Sequence, residues 1–486
     1  MTSANRTRVA LVRETTPGTT PDTPRMRAMR ITGESLSFKP IYVDPDELRD
    51  DRMMDDPIQV MKESSGGINF ELSFPQDETP LSELYRSAFF NPWVNTPQRD
   101  NDGSADSAIT DVAAATGVVT VEAGDAFVAR HLARNTGFTN AENNGLFRCT
   151  TGSATVPAFA GQGLVDEAAP PAAARVKVVG FEAAEADIAA VSDGITSTLL
   201  DFETLGLVVG QWIKIGGTGA AFRFATEACN VFARITVIAA TKLTLDNLPA
   251  GWTTDDGTYA TLRVFFGDQI KNGVTKTALT IEKSFLGQTV PTHIVKRGMH
   301  VNTLEHTITS RDKVKGVANF TGMGGQQSTV ALDDSYEAVT TNAVMAANAN
   351  VGRIAEAGAR LTAPNWAREL SFTINNNQRA IEAADVDSPV GVEPGECLVS
   401  GSINTYFGSN ALLQKFFDGT PTAINSRIAK NNQAVIWQFP RVTHREGDPH
   451  ATGKNTDVML PLAWQSSKDT LTEAHVILDR FEYYQA

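Results

Sequence analysis

Chemistry would begin with the seven histidines, His131, His293, His300, His306, His444, His450 and His475. Only His300, Glu305 and His306 crowd together, in a stretch whose alternation reads as a strand. A structural metal needs about four ligands converging on one point, and a catalytic one about three. Neighbouring strand positions face opposite sides, so Glu305 and His306 diverge, and His300 with His306 supplies only two ligands. The three cysteines, Cys149, Cys229 and Cys397, lie far apart without CxxC spacing, which argues against a disulfide framework and a metal knuckle. Gly322-Met323-Gly324-Gly325 lacks the Lys-Ser/Thr of a phosphate loop and precedes no helix signal, so it reads as a turn after a strand. No Gly-x-Ser-x-Gly elbow is present, and no serine can be matched with a His and an Asp. The expectation is a protein that is not an enzyme, with no catalytic residues, no cofactor and no metal.

The densest charge lies at Asp44-Pro45-Asp46-Glu47-Leu48-Arg49-Asp50-Asp51-Arg52-Met53-Met54-Asp55-Asp56. Its oxygens do not fall at positions 1, 3 and 5 with a glycine at 6, so it is no calcium loop. A solvated surface loop would have this composition. Its place, in a long loop between two strand signals of one compact domain, points instead to function. Acids mixed with arginines suit a polar, bidentate contact with another subunit. The residues nominated for that contact are Asp44, Asp46, Glu47, Arg49, Asp50, Asp51, Arg52, Asp55 and Asp56.

The elements around this loop repeat. Ile68, Phe70, Leu72 and Phe74 alternate with Asn69, Glu71 and Ser73, the period of a half-buried strand. Ser65-Gly66-Gly67-Ile68-Asn69 is echoed by Ser400-Gly401-Ser402-Ile403-Asn404, and the upstream Leu36-Ser37-Phe38 by Leu370-Ser371-Phe372. A helix follows each. The first starts at Pro80 behind Thr79, carries Leu81, Leu84, Tyr85, Ala88 and Phe89 on one face, and stops at Asn91-Pro92. The second follows Ser409 or Asn410, uses Leu413, Phe416 and Phe417, and closes at Gly419. Closing strands are expected at 434–442, 457–464 and 475–484 for the second copy. For the first they come only at 279–285, 301–308 and 314–320, so something is inserted. That insert also repeats, Asn144-Gly145-Leu146-Phe147 with Arg175–Gly180 against Asn230-Val231-Phe232 with Arg263–Gly267.

The expected fold is mainly β: two β-sandwich domains, each with one flanking helix, the first split by two small β-modules. The expected bounds are an arm over 1–25, a first domain over 26–111 plus 268–335, modules over 112–183 and 184–267, and a second domain over 336–486. The chain has 486 residues, 42% hydrophobic, and a formal net charge of −14, which disfavours a surface that grips phosphate backbones. Neither a signal-peptide core nor an eighteen-residue apolar run is found, so a soluble protein folding in the cytoplasm is expected.

Glu14–Pro21 (ETTPGTTP), Ile31–Leu36 (ITGESL), Glu47-Leu48-Arg49-x-x-Arg52, Gly66–Phe70 (GGINF) and Leu279–Phe285 (LTIEKSF) resemble, in this order, the tail tube proteins of long, flexible-tailed bacteriophages. The resemblance implies β-sandwich domains whose sheets join edge to edge between subunits around a lumen, with rings stacking into a tail. With two tube domains fused, it implies trimeric rings of pseudo-sixfold symmetry. Implied partners are further copies of the chain, a tape measure protein in the lumen, tail terminator and distal tail proteins at the ends, and DNA that passes without specific binding. The implied location is the virion tail, assembled in the host bacterial cytoplasm, with no membrane. The inserted modules would face outward, the arm would order on assembly, and Asp44–Asp56 would contact the adjacent ring. A decoration or adhesion protein with tandem β-domains is the competing reading. It would need clustered exposed aromatics, whereas Trp93, Trp212, Trp252, Trp366, Trp437 and Trp464 are scattered.

Overall fold

The computed structural model describes residues 3–103, 107–160, 163–258, 260–451 and 453–485. The chain is mainly β and is built on two large antiparallel sheets, one of 18 strands and one of 14. The labelled strands of the larger sheet are β1 (Thr7–Arg13), β2 (Ser37–Val43), β3 (Ile58–Glu71), β4 (Leu279–Phe285), β5 (Thr292–Thr309) and β6 (Lys315–Thr321), followed by β7 (Val351–Glu356), β8 (Ala367–Asn375), β9 (Leu398–Tyr406), β10 (Thr422–Lys430), β11 (Gln433–Glu446) and β12 (Met459–Ser466). Helix α1 (Pro80–Phe89) follows β3 and helix α2 (Ala411–Phe417) follows β9.

Strand order in the larger sheet occurs twice. The first run is β1-β4-β5-β6-β3-β2 and the second is β7-β10-β11-β12-β9-β8. Even the irregularities recur. The β4–β5 ladder slips between Leu279 and Ile281, and β10–β11 slips between Thr422 and Ile424. The β5–β6 ladder slips between Val301 and Thr303, and β11–β12 between His444 and Glu446. Ser65 faces Thr321 as Ser400 faces Gln465, so the two five-residue phrases occupy equivalent positions. Their shared glycine has a steric cause. A Cβ on Gly66 (φ +110°) would lie 2.2 Å from the Ser35 carbonyl oxygen, and one on Gly401 would lie 2.4 Å from that of Ser371.

Some sequence expectations shift. Glu34 faces Ile68 and Leu370 faces Ile403, so Leu370-Ser371-Phe372 matches Glu34-Ser35-Leu36, two residues before the Leu36-Ser37-Phe38 echo. A slip of two preserves the facing of side chains, which is why the alternation pattern does not detect it. Thr7–Arg13, expected within an arm that orders on assembly, is instead β1. It pairs with β4 over seven residues and buries Val9 and Leu11, as β7 pairs with β10. Val301–Ile308 is part of the much longer β5, whose first half pairs with β4 and whose second half pairs with β8.

The smaller sheet runs from Gln98 to Phe265, so the expected bound at 111 cuts strand Ile109–Ala113 and the bound at 183 cuts strand Arg175–Glu185. Its strands fall into two runs of like pairing, 109–185 and 188–265, joined where Arg175–Glu185 meets Thr261–Phe265. The runs share one hydrophobic core. The repeated asparagine explains the echo here. Asn144 Oδ1 accepts from Phe138 N at 3.0 Å while its amide donates to the Phe138 and Asn140 carbonyls, and Asn230 does the same with Phe224 N at 2.9 Å and the Phe224 and Thr226 carbonyls. An asparagine that holds both backbone directions of a turn cannot be replaced by a simple acceptor or donor.

Candidate assembly surface

The β2–β3 hairpin leaves the body of the fold. Its strands pair from Ser37↔Ser65 out to Val43↔Ile58, and alternate positions no longer separate buried from exposed. Among the described residues, seven of the 24 exposed large apolar side chains lie here: Tyr42, Val43, Leu48, Met53, Met54, Ile58 and Val60. Such a concentration of exposed apolar side chains on one hairpin is unusual for an isolated chain. The tip carries all nine nominated charged residues, of which only Asp55 is part-covered. Seven acids against two arginines leave it net negative by five.

The two arginines differ. Arg49 grips Asp51 (Nε–Oδ1 2.9 Å) and Asp55 (Nη1–Oδ1 2.6 Å), and Asp51 also accepts from Met53 N at 3.1 Å. The hydrogen bond from Arg49 holds the Asp51 carboxyl below its ordinary value. Arg49 therefore shapes the tip from within. Arg52, at φ 61°, forms no ion pair among the described residues and faces solvent. The hairpin base is tied to the loop after β8, where Lys62 Nζ meets Asp387 Oδ2 at 2.5 Å.

His306 and the glycine run make no site. His306 is fully enclosed by Phe70, Tyr85, Phe372 and Trp437, and Tyr85 Oη lies 3.1 Å from its Nε2. Burial pushes its imidazole down to about 3, so it is a neutral core residue. Gly324 and Gly325 belong to a strand paired with β5. No group of three or more potential metal ligands occurs among the described residues.

The structure adds a feature that no motif announced: a buried ionic network holding the smaller sheet to the larger. Arg480 donates to Asp268 (2.7 Å), Asp77 (3.0 Å), Ser82 Oγ (2.7 Å) and the Pro75 carbonyl (2.7 Å), with Trp93 under its guanidinium. Lys177, from the smaller sheet, donates to the same Asp268 oxygen at 2.7 Å. Burial would push the Asp268 carboxyl up, but Lys177 and Arg480 hold it below its ordinary value. A second apolar cluster joins Leu132, Val179, Trp212, Phe232 and Phe265 to Ile436, Phe481 and Tyr484. The insert is therefore firmly packed on the second strand run.

Beside this network Asp479 stands alone. Burial pushes its carboxyl up to about 8, against hydrogen bonds from Gln269 Nε2 (3.0 Å) and Trp212 N (3.4 Å). A folded-state value above the unfolded one means stability is intact in acid and is lost as pH rises from about 4 to about 8. Asp479→Asn removes that loss. Its stability relative to wild type should rise between pH 4 and pH 8 by up to about 1.4 kcal/mol per pH unit, read as a widening gap in melting temperature. A margin independent of pH would show that Asp479 is ionised throughout.

The hairpin presents exposed apolar and charged side chains together. No curated protein matches the chain individually. Residues 4–466 match the family described as phage tail tube protein. The chain belongs to the phage tail tube protein family, and is a structural subunit of a virion tail rather than an enzyme.

Proposed function

We propose that three copies of this chain close a ring of six equivalent strand runs, and that stacked rings form the hollow tube through which DNA leaves the virion. Each strand run is read as one tube domain. The first comprises residues up to 97 together with 268–335, the second 336–486, and 98–267 is the insert. The observation that carries this reading is the seam between the runs inside one chain, where β5 pairs with β8 from Thr303↔Asn375 to Thr309↔Glu369. If the runs are equivalent, the same seam recurs between chains.

The equivalences specify its register. Thr303 and Glu446 both follow the bulge of their ladder, so Glu446 takes the place of Thr303. The bridge His450↔Met459 takes that of Thr307↔Lys315. Glu34 takes the place of Leu370, so Lys39 takes that of Asn375. Glu446 of one copy then faces Lys39 of the next, and Glu446–His450 runs antiparallel to Ser35–Lys39. Opposite charges across the pair favour it. Both side chains are exposed in the single chain, and the unpaired edges are satisfied only by closure.

Glu446→Cys combined with Lys39→Cys tests the ring directly, because directly opposite strand positions bring Cβ atoms within about 5 Å. Oxidised assemblies should run as covalent species ending at three chains on a denaturing gel. Species continuing to six, or a band that stays at one chain, would remove the trimeric ring. In the tube so formed, the tape measure protein occupies the lumen, and tail terminator and distal tail proteins meet the ends. The net charge of −14 suits a wall along which DNA slides without binding.

A further inference from the structure

A cleft of about 1020 Å³ lies between the smaller sheet and the second strand run, lined among others by Lys214, Phe232, Asn247, Arg353, Arg360 and Arg427. The chain has 42 basic and 56 acidic residues, yet this cleft gathers four cations. None of the four forms an ion pair among the described residues. The two carboxylates whose charge reaches them are already taken: Asp246 by Arg234 (2.9 Å) and Glu227 by Arg223 (3.4 Å).

The cations are held in place by neutral groups. Lys214 is 8% exposed and donates to the Ile215 and Gly216 carbonyls at 2.8 and 3.0 Å. Arg353 donates to Asn247 Oδ1 at 2.9 Å, while its Nε is buried with no partner. The Arg427 guanidinium lies 4.2 Å from the Phe232 ring centre. Burial and the charge of Arg427 push Lys214 down to about 8 and Arg353 down to about 10. Fixed positive charge that the chain does not neutralise is costly alone and becomes favourable once an anion enters.

We propose that this cleft receives the acidic hairpin tip, Asp44–Asp56, of a second copy in the stacked ring. The tip has the complementary charge, net negative by five, and its Leu48, Met53 and Met54 are all exposed. Leu248, Pro249 and Phe232 supply apolar walls for them. The cleft holds a peptide turn rather than a single small anion, since its volume reaches the upper end of ligand pockets. The assignment rests on reading the tip as a contact between rings.

Charge exchange tests it in the full-length chain. Arg353→Glu with Arg427→Glu should leave rings intact and reduce stacked tubes seen by electron microscopy ~10-fold. Arg360→Glu, at an exposed position, should act in the same direction. Asp46→Arg with Asp50→Arg, which spares the Arg49 clamp, should also block stacking. Combined with the cleft reversal, it should restore tubes. If the tip variant blocks stacking while both cleft variants assemble as wild type, the tip remains a ring contact and the cleft assignment is overturned. If all variants stack normally, the ring-contact reading falls with it. Cleft variants that stay folded but form no rings would also overturn the assignment, because the cleft would then act within a ring.

Discussion

Arg480→Met will destabilise the fold by about 3–5 kcal/mol, the range for removing one partner of a buried ion pair. The reason is what remains behind. Asp77 and Asp268 stay enclosed, the Ser82 hydroxyl and Pro75 carbonyl lose their donor, and Lys177 becomes the cation left closest to Asp268. Methionine keeps the stem but neither the charge nor the fork of donors that meets these partners. Lys177→Met should be milder, since Arg480 still neutralises Asp268. Calorimetry of the purified chain measures both. A melt of the Arg480 variant within experimental error of wild type would mean that the network contributes only order.

The same network bears on the insert, whose inner side is packed against the larger sheet. Deleting the smaller sheet would strip cover from Ile436, Phe481 and Tyr484 and take Lys177 away from Asp268. Its outward face could vary while its inner face could not.

Trp437→Ala will cost about 3–5 kcal/mol, as for large aromatics in well-packed cores. Trp437 sits on β11 in the second strand run, but its ring lies 5.4 Å from Tyr85 and 6.0 Å from Phe89 of α1, 4.9 Å from His306 and 4.7 Å from Phe372. The helix of the first run therefore packs on a residue of the second, and one core spans both. Removing the indole opens a cavity at that shared point. The expected result is a lowered melting temperature with the first and second runs unfolding separately, and Trp437→Phe should recover much of the loss. A single cooperative transition at reduced temperature would show that the β5–β8 seam alone couples them.

Much of this is legible in the sequence. Helix α1 occupies Pro80–Phe89, where Pro80 and Asn91-Pro92 mark its limits, because proline geometry acts within a few residues. The doubled phrase at Ser65 and Ser400 located the two strand runs, because a glycine under a neighbouring carbonyl leaves a mark that survives divergence of its surroundings. The acidic tip was visible as composition. Its apolar company was not, since Tyr42, Ile58 and Val60 look like ordinary strand residues until the hairpin is seen to leave the core.

By itself, then, the sequence determined what depends on near neighbours: the alternation of strands, the helix limits and the two internal repeats. Only the tertiary structure decided the placing of β1 beside β4, the two-residue offset of the echo and the seam of β5 with β8. It also decided the ionic junction of Arg480, Lys177 and Asp268, and the cleft of unpaired cations. Those features join residues separated by tens to hundreds of positions. Strand pattern specifies which face a side chain takes but not which partner edge it meets, and charge in a sequence carries no record of where burial will remove water from it.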